Sequence, residues 1–299
     1  MEILDRNTTH VCTFKPSLTI PVNGHEATCS CFSEDGSWLA VSHTSGIIQI
    51  HRVQDGALSF ILNKQSAQKY PSLSMCFRPT EGLFCTKNVL ISADVGGHIH
   101  HWHATSGKLI STIQEPGNEI FSLVHQETGV LFATAGLDTK VRIYDGLTRK
   151  MSMVLDEGDG SSTSGHTNRV FALKWSSLDT NVLMSGGWDK TIQLWDLRVG
   201  KSVRSIYGPY ICGASLDFDM NTKRILTGSW RAVEQLQEWD YGSGSLMRTF
   251  MWPQRMNWEK VAGSLDQLDK GVVSISFNIS GTRICVVTSN QLFVVSLKE

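Results

Sequence analysis

Long apolar runs are missing from this 299-residue chain. None approaches the roughly 18 to 20 residues that a membrane-crossing helix needs, so a soluble protein is expected. A dominant charge is missing too. The net charge is -1 at pH 7, which leaves no long-range field to gather nucleic acid or an anionic membrane and confines binding to local surfaces. The seven cysteines (Cys12, Cys29, Cys31, Cys76, Cys85, Cys212 and Cys285) form no C-x-x-C pair, and the opening "MEILDRNTTH" lacks the apolar core of a secretory signal. A reducing location, cytoplasmic or nuclear, is therefore expected rather than a disulfide framework. No P-loop or dinucleotide fingerprint occurs, because Gly96-Gly97 and Gly186-Gly187 stand between strand-like runs and not ahead of a helix. Basic residues are dispersed without interleaved aromatics, which argues against an RNA surface. Helical periodicity is scarce as well, its main candidate being "MNWEKVAGSLDQLDK" at 256–270.

What the chain does contain is a repeat. "LMSGGWDKTIQLWDLRVGKSVRSI" has relatives in "LFATAGLDTKVRIYDGLTRKMSMVL", "LISADVGGHIHHWHATSGKLISTI", "LAVSHTSGIIQIHRVQDGALSFIL" and "ILTGSWRAVEQLQEWDYGSGSLMRTF". Alignment puts His51, Trp102, Tyr144, Trp195 and Trp239 in one slot, at intervals of about 42 to 51 residues. A degenerate sixth copy ends the chain at 271–299. Each copy reads as short, alternating runs of Val, Ile, Leu and Phe separated by turn residues, which is the pattern of a four-stranded propeller blade.

These features resemble the WD40 repeat family. The Gly-His and Trp-Asp signatures are best kept in the fourth copy, at Gly165-His166 and Trp195-Asp196. The resemblance implies an all-β propeller spanning 1–299 as a single domain, with repeats near 24–63, 70–114, 117–155, 165–206, 209–250 and 271–299. Six blades are preferred over seven, because 1–16 and 251–270 hold too few strand-like runs for another blade. Residues 17–22 are expected to close the propeller by completing the last blade. The resemblance also implies a structural tetrad in which Trp195 donates to Ser185, Ser185 reaches His166 and His166 reaches Asp189. That reading replaces a catalytic one, since a nucleophilic serine must face a cleft. The other copies lack parts of this network and are expected to rely mainly on apolar burial.

The turn between second and third strands, and the connection into the first strand, should open on one face. Alignment places Val95, Leu137, Trp188 and Trp230 in that turn. Arg169 with Phe171, and Phe121 one blade earlier, fall on the connection, and Arg231 follows Trp230. Aromatics with arginines suit an interface hot spot, so Trp188, Trp230, Arg231, Arg169, Phe171, Phe121 and Leu137 are the expected partner contacts. Arg198, in a stretch similar to the WDxR box of propellers that serve cullin-RING ubiquitin ligases, is a possible adaptor contact. "GGHIHHWH" at 96–103 offers His98 with His100 on one face and His101 with His103 on the other, but sequence spacing supplies no third ligand, so no metal is expected. Nor is a cofactor or small-molecule substrate. The expected function is a non-enzymatic protein–protein interaction scaffold within a multiprotein complex. The polar connection at 155–167 is an expected place for phosphorylation or for a partner to clip on.

Overall fold

The structure is a computed structural model. It describes residues 16–21, 26–63, 69–80, 86–156, 158, 163–250, 272–277, 283–288 and 291–296. The helix expected at 256–270, the Gly24-His25 pair and part of the 155–167 connection lie outside the described residues. Strands dominate because the alternation is period-2 and glycine-bearing turns interrupt it every few residues. Among the described residues, six four-stranded antiparallel sheets form, which is the preferred blade count. A three-residue 3-10 turn at Ala104–Ser106 is the helical element described.

One compact unit holds two of these sheets. The strand β1 (Pro16–Pro21) pairs with the last strand of the chain, as expected for the N-terminal closing segment. The strands β2 (Ala27–Phe32), β3 (Trp38–His43), β4 (Ile48–Arg52) and β5 (Leu58–Leu62) make the first blade. Ile20 of β1 joins Phe32, Leu39 and Val41 of that blade in a buried cluster with Val287, Leu292 and Val294 from the sheet that β1 completes.

The other unit, Ser72–Trp252, holds four blades. The second is β6 (Ser72–Phe77), β7 (Val89–Asp94), β8 (His98–His103) and β9 (Lys108–Gln114). The third is β10 (Ile120–His125), β11 (Leu131–Gly136), β12 (Val141–Asp145) and β13 (Met151–Leu155). The fourth is β14 (Val170–Trp175), β15 (Val182–Gly187), β16 (Thr191–Asp196) and β17 (Lys201–Tyr207). The fifth is β18 (Leu216–Asp219), β19 (Arg224–Gly228), β20 (Leu236–Asp240) and β21 (Leu246–Phe250). The remaining strands, β22 (Val272–Phe277), β23 (Arg283–Thr288) and β24 (Gln291–Ser296), form the sheet that β1 completes.

Within the four-blade unit, the first strands of successive blades lie side by side. Ser74 on β6 accepts the Leu123 N–H of β10 at 3.0 Å, stitching neighbouring blades together. Apolar clusters fill the spaces between blades. Val170, Leu173 and Trp195 of the fourth pack on Ala133, Val141 and Ile143 of the third. The aligned third-strand slot is also one structural slot: Trp102, Tyr144, Trp195 and Trp239 pair in register with Leu90, Phe132, Leu183 and Ile225. Three of these indoles donate to a second-strand hydroxyl, Trp102 to Ser92 at 3.1 Å, Trp195 to Ser185 at 2.7 Å and Trp239 to Thr227 at 3.0 Å.

Candidate functional site

The face carrying the second-to-third-strand turns is built by a recurring clamp. The Leu137, Trp188 and Trp230 backbone N–H groups donate to the carbonyls of Glu119, Arg169 and Tyr210, at 3.0, 2.9 and 2.8 Å. Each turn is thereby held against the connection that enters its own blade. Glycine ends β15 for this reason: a Cβ on Gly187 would strike the Arg169 carbonyl.

On this scaffold the aromatic side chains form a row. Phe121 and Phe171 stack with centroids 4.7 Å apart, Phe171 meets Trp188 at 5.3 Å, and Trp188 meets Tyr210 at 6.2 Å. The Arg169 guanidinium lies over the Trp188 ring, 5.2 Å from its centroid, where the π face attracts a cation. Trp230, joined to Tyr210 through its backbone N–H, has 74% of its surface exposed. It borders a cavity of about 370 Å³ lined by Ser229, Arg231, Ala232 and Gln235. The structure thus gathers Phe121, Phe171, Trp188, Arg169, Trp230 and Arg231 along three successive blades. Leu137 is half-buried on the same set of turns. Sequence reasoning missed Tyr210, the link between the two tryptophans. It occupies the clamp position that Glu119 and Arg169 hold in the preceding blades, a signal that alignment on the connection would have exposed.

Ser185, His166 and Asp189 have the spacing of a catalytic set. His166 Nε2 is 2.6 Å from Ser185 Oγ, and Nδ1 is 2.6 Å from Asp189 Oδ2. The donor inventory determines the proton positions. The Trp195 indole can only donate, so it occupies an acceptor site on Ser185, whose own proton goes to His166 Nε2; the imidazole then donates from Nδ1 to Asp189. Burial pushes the Asp189 carboxyl up, but bonds from His166, Thr191 and Thr167 outweigh it and hold the group below its usual range. With Ser185 fully buried, this serine has no face to offer a substrate.

The third blade solves the same problem differently, and apolar burial is not its only device. Glu115, just before the connection, is buried and collects four donors. Thr134 and Tyr144 hydroxyls reach Oε1 at 2.5 and 2.8 Å, while Asn118 and Arg142 reach Oε2 at 2.6 and 3.2 Å. Arg142 also pairs with Asp138 at 2.5 Å. Burial, and then the Glu115 charge, push the Tyr144 phenol up. Arg198, on the turn after β16, is held by Asp196 at 2.7 Å and Asp179 at 2.9 Å.

Comparison with known proteins adds the following. The family model described as "WD domain, G-beta repeat" matches residues 14–52, 107–145 and 160–196. The U3 small nucleolar RNA-associated protein 21 homolog of Schizosaccharomyces pombe is 28% identical over 191 residues, which is 63% of this chain and 19% of that protein. The WD repeat-containing protein slp1 of the same yeast is 25% identical over 221 residues, 73% of this chain and 41% of the relative. The COMPASS component SWD3 of Saccharomyces cerevisiae is 24% identical over 236 residues, 76% of this chain and 69% of the relative. The chain therefore spans less than half the length of the first two. A chain in the crystal structure of a mitotic checkpoint complex superposes with a TM-score of 0.65 at 20% identity, covering 93% of this chain and 76% of that one, a likeness of fold.

Proposed function

Since the chain is a WD40-repeat protein, we propose that it acts as a non-enzymatic scaffold that holds a protein or peptide partner over the Trp188 and Trp230 face. The observation that carries this reading is an ordered aromatic row capped by Arg169 over Trp188, with the exposed Trp230 indole and Arg231 on the next turn. Large aromatic rings held in place, with cationic neighbours, are the composition of binding hot spots. The turn-to-connection clamps fix them before a partner arrives, so little ordering entropy is lost on binding. The Trp188 Nε1 group is buried without a hydrogen-bond partner. Two relatives bear names that tie them to assemblies, a COMPASS component and a U3 small nucleolar RNA-associated protein, which supports partners within a multiprotein complex in the nucleus or cytoplasm. Among the described residues no helix is long and apolar enough to cross a membrane.

The test compares affinity purification from native cells for the unsubstituted chain and a folded Trp188→Ala/Trp230→Ala variant. A subset of co-purified proteins is expected to disappear, and direct titration of the lost partner should show each tryptophan worth about 2 kcal/mol or more. Identical sets of captured proteins would overturn the reading. A cullin-RING substrate receptor working through Arg198 has less support, because Asp179 and Asp196 already engage its guanidinium. Arg198→Asp is accordingly expected to leave capture unchanged; loss of a ligase adaptor alone would revive that alternative.

A further inference from the structure

The second blade carries a side-chain cluster that partner binding leaves unused. Period-2 alternation along β8 puts His98 and His100 on one face, while β7 ends at Asp94. The turn joining these strands brings the Asp94 carboxylate back beside both rings. Its Oδ1 is 3.1 Å from His98 Nδ1 and its Oδ2 is 3.3 Å from His100 Nε2. The two imidazoles stack with centroids 5.7 Å apart. Asp94 is 1% exposed, and Oδ1 also accepts the Gly96 and His98 backbone N–H groups at 3.0 Å, which fixes the carboxylate in place. The missing third ligand of the sequence reading is thus supplied by the hairpin.

We infer that Asp94, His98 and His100 form a binding site for one divalent transition-metal ion, with zinc the best match. Two imidazole nitrogens and a carboxylate oxygen are donors that zinc accepts. In a tetrahedral site with bonds of about 2.0 to 2.1 Å, neighbouring donor atoms stand about 3.3 Å apart. One separation to each carboxylate oxygen is of that length, 3.1 Å from Oδ1 to His98 and 3.3 Å from Oδ2 to His100. With one donor atom taken from each residue, all three lie within 4.8 Å of one another, so each open edge closes by at most about 1.5 Å. His98 is the more exposed ring of the two. The other nitrogen of His100, Nδ1, sits 3.0 Å from Thr112 Oγ1, the kind of outer contact that fixes a ligating imidazole with its Nε2 toward a metal. Metal entry displaces the protons that otherwise lie between carboxylate and imidazole, so affinity rises with pH. Three protein ligands leave a fourth position for water or for a side chain from a partner.

The experiment titrates Zn²⁺ into the chelator-stripped full chain against a chromophoric competitor. One equivalent should bind, and Co²⁺ in its place should give the intense visible absorption of a four-coordinate site. His98→Ala should weaken zinc binding by more than about a hundredfold, since even outer-contact losses reach that size. His103→Ala, on the opposite face of β8, should leave it unchanged. Should His98→Ala fail to fold, histidine ring NMR of the unsubstituted chain reads the same site: the His98 and His100 signals should move together and stop at one equivalent. Absence of saturable binding, undiminished binding by folded His98→Ala, or unmoved His98 and His100 signals would each overturn the site and leave the trio as a hydrogen-bonded brace.

Discussion

Glu115→Ala will lower stability by about 3 to 5 kcal/mol, one of the largest single-residue losses expected in the four-blade unit. The carboxylate is the shared acceptor for Thr134, Tyr144, Asn118 and Arg142, so its removal strands several donors at once. Each buried donor left without a partner costs about 1 to 3 kcal/mol. Arg142 retains Asp138, and a water entering the vacated space offsets part of the remainder, which keeps the total below the simple sum. Glu115→Gln should fall in between, since its carbonyl accepts two of the four donors while its amide faces the others. The check is thermal and urea denaturation beside Ser185→Ala in the fourth blade. Ser185→Ala removes one hydroxyl between Trp195 and His166 and should cost less. A Glu115→Ala melting temperature within about 2 °C of the unsubstituted chain would mean that the network contributes nothing net.

The contrast between these two blades explains what was legible in the sequence. The fold was legible because the pairing of the third strand with the second repeats: one large residue opposite Leu90, Phe132 or Leu183 recurs at a fixed distance from its turn, and the one opposite Ile225 stands two residues further on. The His166, Ser185, Asp189 and Trp195 geometry was legible because Ser185, Asp189 and Trp195 stand on strands or a short turn, and the Gly165-His166 pair marks the position in the connection ahead of β14. Glu115 was not, because a glutamate in a connection does the work of a histidine that alignment expects elsewhere. Asp94 escaped notice because it occupies the slot where the next two blades have Gly136 and Gly187. Tyr210 was hidden by drift, since the distance from clamp carbonyl to turn lengthens by one residue per blade from Glu119 to Arg169 to Tyr210. Polar positions set by connections of variable length are thus found only once the backbone has closed around them.

Acid will destabilise the four-blade unit well above the pH at which carboxylates titrate, and His101 with His125 will account for much of the effect. These rings flank Phe132, with centroids 5.5 Å from it in each case. Burial, then the charges of Arg149, His125, Arg78 and His100, pushes His101 down to about 3. Burial also pushes His125 down to about 4, against a backbone bond at Leu131 and with help from Arg78. Both rings are therefore neutral in the folded chain at pH values where the unfolded chain, with an ordinary histidine pKa near 6.5, is protonated. Their stabilising contribution is complete above about pH 6.5 and is lost as pH falls, down to about 4 for His125 and about 3 for His101, by up to about 1.4 kcal/mol per histidine per pH unit. Between pH 7 and pH 5 the loss is about 2 kcal/mol for each ring. Asp189, held below its usual range by the His166, Thr191 and Thr167 bonds despite burial, acts only at lower pH, so it does not share this window. His51, also pushed down by burial, lies in the first blade and gives the other unit an acid response of its own. Replacing both rings by leucine, an apolar side chain suited to the Phe132 environment, should leave stability at pH 7 within about 1.5 kcal/mol and remove most of the decline toward pH 5. The measurement is urea midpoints at the two pH values for both chains, together with ring NMR titration of His101 and His125. Protonation of either ring above pH 6 in the folded chain, or equal declines in the two chains, would show that these histidines do not set the acid limit.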